Sequence, residues 1–172
     1  EGGMKFTLSW LKDHLDTPAS FEEITDKLTL IGLEVEALVD PSETFANFEV
    51  AEIIATAPHP EADRLQICTV KSSGGEQQLV CGAPNARAGL IGILAQEGAV
   101  IPASGMVLGK AKIRGVESRG MMCSGAELGL NDDHDGIIEL QAGASIGAPA
   151  AAALGLDDPM IEIAITPNRP DC

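Results

Sequence analysis

The alternation of apolar and polar positions in the first forty residues predicts a mixture of helices and strands. Ile24, Leu28 and Ile31 have the spacing of residues on one face of a helix. Ser20 and Glu23 stand at its start in the order of a capping box. The predicted series is a strand at residues 4–7, a helix at 9–15 capped by Ser9, a helix at 21–31 ending at Gly32, and a strand at 33–39.

From residue 41 onward the pattern changes to short strands separated by turns. The segment Pro41-Ser42-Glu43 marks the change, and Ser73-Gly74-Gly75 predicts a tight turn between two strands. Short strands joined by Gly- and Pro-rich turns are typical of a small barrel. Residues 144–154, rich in Ala, predict a helix, and 160–165 predict a last strand. The other predicted strands are 48–56, 65–71, 77–81, 90–96, 109–113 and 136–140.

The composition is that of a folded chain with an aliphatic core. Hydrophobic residues make up 45% of the 172 positions, but aromatic residues only 3%. No apolar run approaches the length that spans a bilayer, so no membrane partner is expected. No export leader precedes the first predicted elements, and the expected location is therefore cytoplasmic. Residues 1–3 read as an expression scar.

No pattern along the chain predicts a catalytic or metal site. The four cysteines have no CxxC spacing, so we expect reduced, mostly buried thiols rather than zinc ligands. There is no phosphate-binding GxxxxGK[ST] loop and no arrangement of nucleophile and base. His59, between two prolines, is interpreted as structural, and the acidic loop at residues 131–136 as a solvated turn.

A basic strip interrupts an otherwise acidic chain. The formal net charge is −15. Against this background stands the basic strip, Lys110, Lys112, Arg114 and Arg119, which encloses a single acid, Glu117. Clustered cations predict a local anion site, and a solvated strand face is the alternative. Because Lys112 and Arg114 alternate with apolar residues, we expect them to share the outward face of one strand.

Three separated blocks of residues resemble a known module. The blocks are His59-Pro60-Glu61-Ala62-Asp63-Arg64, Leu79-Val80-Cys81-Gly82-Ala83-Pro84-Asn85 and Ser118-Arg119-Gly120-Met121-Met122. Their order and spacing resemble the tRNA-binding module of the endothelial monocyte-activating polypeptide II type, which is an OB-fold barrel. The resemblance covers about residues 48–140 and is specific, because three blocks must agree.

The flanking segments resemble one host of this module. The chain contains Met4-Lys5-Phe6-Thr7-Leu8-Ser9-Trp10-Leu11, then Leu30-Ile31-Gly32-Leu33-Glu34-Val35-Glu36, and finally Ile165-Thr166-Pro167-Asn168-Arg169-Pro170-Asp171-Cys172. All three look like the start of a bacterial phenylalanyl-tRNA synthetase β chain, which carries the module as an insertion. A free tRNA-binding protein of the same type would lack these flanks.

The resemblance implies a mainly β fold with α+β character, in which an OB-fold β-barrel is inserted in a small discontinuous α/β domain. The implied boundaries are residues 4–40 for the first segment of that domain, 41–150 for the barrel, and 151–172 for a truncated second segment. We expect the strand at 160–165 to pair with the strand at 33–39, because it has no neighbouring hairpin partner.

For function, the resemblance implies a tRNA-binding, non-catalytic N-terminal part of the synthetase β chain. The parent enzyme attaches phenylalanine to its tRNA with ATP and Mg²⁺, and assembles with an α chain and a second β chain as α2β2. The part present in this sequence is expected to need no cofactor, since the resemblance places the catalytic-like, editing and anticodon-recognising parts downstream. The alternative is a structural or assembly module in which RNA contact by the barrel is weak or absent, as its acidity allows.

Seven residues are candidates for RNA contact. Asn85 matches the Asn that the module uses on its RNA face, although an Asn in a turn also bonds its own backbone. Ser118 and Met121 match module positions near the RNA, whereas Arg119 stands where an acid is common. No aromatic platform lies near, so recognition is expected to rest on shape and backbone. The full set is Asn85, Lys110, Lys112, Arg114, Ser118, Arg119 and Met121.

Overall fold

The computed structural model describes residues 3–164 of the chain. Most of the predicted scar, the end of the last predicted strand at Ile165 and the final block of the sequence resemblance lie outside the described residues. The chain divides into two compact units. The smaller unit combines the residues up to Pro41 with those from Gly155 onward, and the larger unit comprises Ser42–Leu154.

Strands dominate the described residues, which confirms the prediction of a mainly β fold. In chain order the elements are β1 (Met4–Thr7), α1 (Leu8–His14), α2 (Phe21–Leu30), β2 (Glu34–Val39), α3 (Pro41–Thr44), β3 (Phe48–His59), β4 (Ala62–Ser72), β5 (Gly75–Cys81), β6 (Ile91–Ala95), β7 (Ala111–Ile113), β8 (Val116–Ser118), β9 (Met121–Met122), α4 (Ala150–Ala153) and β10 (Met160–Ala164).

The smaller unit is built on a three-stranded antiparallel sheet in the order β1–β10–β2. Strand β10 lies between two strands from the start of the chain. The predicted pairing of residues 160–165 with 33–39 is therefore confirmed as far as the described residues extend. Helix α2 packs its apolar face against this sheet. The buried core of the unit consists of Ile24, Leu33, Ile161 and Ile163.

Helix α2 begins and ends as its sequence predicts. The backbone N–H of Ser20 donates to Glu23 Oε2 at 2.8 Å, and the N–H of Glu23 donates to Ser20 Oγ at 3.2 Å. This reciprocal pair is the predicted capping box. After the helix, Gly32 has a φ of +91°, a conformation that favours glycine at a helix end.

The N-cap of helix α1 lies two residues earlier than expected. The hydroxyl of Thr7 accepts a hydrogen bond from the Trp10 N–H at 3.3 Å, which makes Thr7 the N-cap. The prediction that Ser9 caps this helix is wrong, because Ser9 lies inside its first turn. The Ser9 N–H donates instead to the carboxylate of Asp158 at 3.0 Å, and the Ser9 hydroxyl bonds the same carboxylate. A residue distant in sequence thus decides where the helix begins.

The larger unit contains a five-stranded antiparallel sheet in the order β5–β4–β3–β6–β9 and the separate hairpin β7–β8. The turn predicted at Ser73-Gly74-Gly75 joins β4 to β5, with Ser72 paired to Gly75. The interior is aliphatic, as the composition predicts. Its buried side chains include Ile53, Val70, Leu79 and Leu94. Strands β8 and β9 are too short to have been predicted from periodicity.

Residues 136–140 do not form the strand that the sequence predicts. The Ile138 N–H donates to the Cys123 carbonyl at 3.0 Å, and the Leu140 N–H donates to the Ile91 carbonyl at 2.8 Å. Because these bonds run to two different segments, no continuous ladder forms. The segment nevertheless lies close to the sheet, and Ile137 is buried in its core.

The helix predicted over residues 144–154 is confined to α4. Gly147 has a φ of +84°, which is not helical, and Pro149 precedes the first helical residue. Ala150 and Ala151 are buried. The larger unit accordingly extends to Leu154, beyond the boundary at residue 150 that the resemblance implies.

Candidate nucleic-acid interface

The basic strip lies on hairpin β7–β8 and its flanking residues. Lys112 is the middle residue of β7 and faces Glu117 across the hairpin. Arg114 and Gly115 form the two-residue turn, with φ values of +46° and +86°, as in a type I′ turn. The expectation that Lys112 and Arg114 share one strand face is therefore wrong. The chain reverses direction at Arg114, because a left-handed backbone is needed there to close the hairpin.

The tip of this hairpin is anchored to the loop between β3 and β4. His59 is buried; its Nδ1 accepts from the Glu61 N–H at 3.1 Å, and its Nε2 therefore donates to the Ile113 carbonyl at 3.1 Å. The Arg114 guanidinium donates to the Glu61 carbonyl at 2.8 Å. The structural interpretation of His59 is confirmed, and Arg114 is held in place while it stays exposed to solvent.

The second strand of the hairpin is attached to β5. Ser118 is buried, and its hydroxyl accepts from the Val80 N–H at 3.0 Å. The Gln78 side chain donates to the Glu117 carbonyl at 3.1 Å, and the Gln78 carbonyl accepts from the Arg119 N–H at 3.0 Å. Ser118 thus links two strands inside the protein and exposes little surface to a ligand.

Asn85 uses its amide within the protein. Its Oδ1 accepts from the Ile137 N–H at 2.9 Å, and its Nδ2 donates to the Ile137 carbonyl at 2.9 Å and to Glu139 at 3.1 Å. The sequence left a base or phosphate contact and a local turn as alternatives. The structure shows a third arrangement, in which the amide pairs with backbone 52 residues away. Met121, also a candidate, is half-buried in β9, where it pairs with Ala95.

Replacing Asn85 with alanine is expected to destabilise the larger unit by about 2–4 kcal/mol, because both backbone groups of Ile137 lose their partner. Denaturant unfolding followed by circular dichroism measures the loss. Asn131→Ala is the matched control, since the Asn131 side chain accepts one bond in an exposed turn. If Asn85→Ala unfolds like the parent but binds tRNA much more weakly, Asn85 is an RNA contact and not a structural link.

The four cations of the basic strip differ in how far they are neutralised. Arg119 forms an ion pair with Glu117 at 3.3 Å. The Arg114 guanidinium bonds a backbone carbonyl. Lys110 and Lys112 are exposed, and neither forms an ion pair with any described residue. These two lysines are therefore the cations of the strip most available to an external anion.

An ion pair that the sequence did not predict lies beside Asn85. Arg87 and Glu139 form two bonds, at 2.9 and 2.8 Å, between guanidinium and carboxylate. Hydrogen bonds from Arg87, and then from Asn85, lower the pKa of Glu139 to about 2. No short-range signal could have found the pair, because its members lie 52 residues apart.

This pair predicts an acid-sensitive contribution to stability. The folded pKa of Glu139 is about 2, against an ordinary 4.5, so the contribution is present above pH 4.5 and is lost as the pH falls toward 2. We expect the melting temperatures of the parent and Glu139→Gln to differ at pH 6 and to converge at about pH 2. Added salt should shrink the difference, since the pair is exposed. A difference that is constant across this pH range would contradict the assignment.

The cysteines of the described residues are thiols in the interior, as the sequence predicts. Cys68, Cys81 and Cys123 are buried and form no disulfide. A hydrogen bond from the Cys68 thiol lowers the pKa of Cys81 to about 7, and the same bond, with burial, raises the pKa of Cys68. Within residues 3–164, no three His, Cys, Asp or Glu side chains are grouped as metal ligands. No helix there is long and apolar enough to cross a membrane.

Comparison with known families defines the class of protein. Residues 48–149 match the family described as "Putative tRNA binding domain". The match covers more than half of the chain and falls within the larger unit, where the basic strip lies. The chain belongs to this family of tRNA-binding domains.

Individual relatives extend the similarity to the smaller unit. The chain is 60% identical over 168 residues to the phenylalanine–tRNA ligase β subunit of Rhodospirillum rubrum, and 57% identical over 171 residues to that of Rhodopseudomonas palustris. Each match covers 98% of this chain and 21% of the relative, so the chain spans about a fifth of their length. The crystal structure of a MetRS related protein from Pyrococcus horikoshii is 20% identical, with a TM-score of 0.48, over 66% of this chain and 98% of that one.

Proposed function

We propose that this chain is the tRNA-binding, non-catalytic N-terminal part of a phenylalanine–tRNA ligase β subunit. The observation that carries the proposal is that the family match falls within the larger unit. This unit exposes Lys112 on hairpin β7–β8 and Lys110 just before it, and neither forms an ion pair with a described residue. The similarity to the ligase β subunits supports the parent, because it runs through both units of the chain.

The domain arrangement is part of this proposal. The larger unit is an OB-fold barrel inserted into a small discontinuous α/β domain, which the smaller unit represents. Support comes from the antiparallel order β5–β4–β3–β6–β9 and from β10, which completes a sheet begun by β1 and β2. A barrel of this type binds nucleic acid on one face of its strands and on the adjoining loops.

The RNA face is centred on hairpin β7–β8. Lys110 and Lys112 contact phosphates directly, and Arg114 and Arg119 add to the local positive potential. Ser118 fixes the hairpin to β5 through the Val80 N–H, while Asn85 fixes the segment at Ile137 and Met121 belongs to β9. Because the unit is acidic overall, the affinity comes from this one face and is modest.

For the parent enzyme we propose the activity that its relatives' names describe, the attachment of phenylalanine to its tRNA. ATP and Mg²⁺ would serve a catalytic site outside this chain, and the proposed assembly is α2β2 in the cytoplasm. The chain itself would then neither form an aminoacyl-adenylate nor charge tRNA.

A tRNA titration tests the proposed function. Fluorescence anisotropy with labelled tRNA should detect binding at low salt, with log K falling against log salt at a slope of roughly −2 to −4 for three or four phosphate contacts. Double-stranded DNA of equal length is the control for non-specific attraction. The absence of binding at about 50 mM salt would favour the second candidate, an assembly module without RNA contact, which the net charge of −15 supports.

A further inference from the structure

The smaller unit carries an apolar groove that nothing in the described chain fills. It lies between the end of α1, the connection that follows and α2, and it has a volume of about 860 Å³. It is lined by Leu11 and Leu28, which pack against the core of the unit, and by Leu15 and Leu30. Leu15 is 51% exposed and Leu30 is 78% exposed. A volume of this size falls in the range of built binding pockets.

Exposure at these positions is unusual for a unit of this size. Among its described residues the unit buries four apolar side chains, so it leaves large leucines in water while its own core is small. Contiguous exposed apolar surface of this kind marks an interaction site. The rim is polar, with Glu23, Asp26 and Lys27 around the leucines. An apolar centre inside a charged rim is the usual construction of a protein interface.

We propose that this groove is the docking site for an apolar segment of the same β subunit, contributed by the part of the subunit that follows the region matched here. This inference rests on the proposed function. The matches cover 98% of this chain but 21% of each relative, so about four fifths of each relative is additional polypeptide. Strand β10 belongs to the sheet of the smaller unit. In a longer subunit, the polypeptide after β10 would therefore start from the same unit that carries the groove.

An occupant from the same polypeptide needs only a small contact area to stay bound. A tethered segment reaches the groove at a high effective concentration, so a contact smaller than a stable interface between free proteins suffices. Covering the groove would bury Leu15 and Leu30 and extend the small core toward α2. Filling the groove would therefore give the smaller unit a larger apolar core within the longer subunit.

Hydroxyl-radical footprinting of the full-length β subunit and of the 172-residue chain tests the proposal. We expect modification of Leu15 and Leu30 to fall about fivefold or more in the full subunit, because their side chains become buried. Met106 and Val107, exposed in the larger unit, are internal controls and should change less than twofold.

A matched pair of variants adds a second measurement. Leu30→Glu should lower the melting temperature of the full subunit but not of the 172-residue chain, whereas Val107→Glu should do neither.

Three results would overturn the proposal. They are equal modification of the leucines in both proteins, protection that appears only after the α subunit is added, and concentration-dependent protection in the 172-residue chain. The last two would assign the groove to another subunit or to a second copy.

Anisotropy with tRNA on the same samples keeps the two proposals separate. Unprotected leucines with normal tRNA binding refute the docking site alone, and protected leucines without tRNA binding refute the RNA function alone.

Discussion

Replacing Lys110 and Lys112 together with glutamine is expected to weaken tRNA binding about a hundredfold at roughly 50 mM salt. Each phosphate contact that is removed should also make the salt slope less steep by about 0.7–0.9. The effect should therefore disappear near 1 M salt, where counterion release no longer favours binding. Both side chains are exposed and unpaired in the described structure, so the fold should be unaffected.

The control for this variant carries the same change of charge elsewhere. Lys12→Gln with Lys27→Gln lies in the smaller unit, where both side chains are exposed. Anisotropy across a salt series measures binding, and thermal melts monitor folding. If the two double variants bind equally, the attraction follows net charge, and the hairpin is only a solvated face. Arg114 is left unchanged because its guanidinium holds the hairpin tip.

Replacing Ile161 with alanine is expected to cost the smaller unit about 2–5 kcal/mol, the usual range for a buried Ile in a fixed core. Ile161 is fully buried in β10 at the centre of the three-stranded sheet, paired with Phe6 and Leu38. A unit with so few buried residues has little stability to lose. The smaller unit should therefore unfold at a much lower temperature.

The same variant should leave the larger unit folded. Fluorescence of Trp10, the one tryptophan, reports on the smaller unit, and circular dichroism of the strand-rich larger unit reports on the rest. Ile53→Ala, at a fully buried position of the larger unit, is the reciprocal control. We expect tRNA binding by Ile161→Ala to survive at temperatures where the Trp10 signal has already changed. Loss of both signals in one transition would show that the units fold together.

Much of the fold could be predicted from short-range patterns. The capping box of Ser20 and Glu23 needs only two residues three apart, and its bonds form as predicted. Apolar alternation predicted β2 and β10, and the missing hairpin partner of β10 predicted their pairing. The family could be recognised from three blocks because their residues and order are written in the chain. The domain arrangement and the RNA contacts stay proposals.

The start of α1 shows where such patterns fail. Thr7 and Ser9 are both able to cap a helix, and local preference does not choose between them. Asp158 binds the backbone N–H and hydroxyl of Ser9, which leaves Thr7 as the cap. That carboxylate is 149 residues away in sequence, and only the folded smaller unit brings it to the helix.

The sequence by itself determined the class of this protein, its main strands and the presence of a basic strip. Only the tertiary structure decided what each candidate residue is free to do. Asn85 and Ser118 are occupied by backbone partners 52 and 38 residues away, and Arg114 turns a hairpin instead of extending a strand. Local periodicity reflects contacts within a few residues, whereas the availability of a side chain depends on segments that meet only after folding.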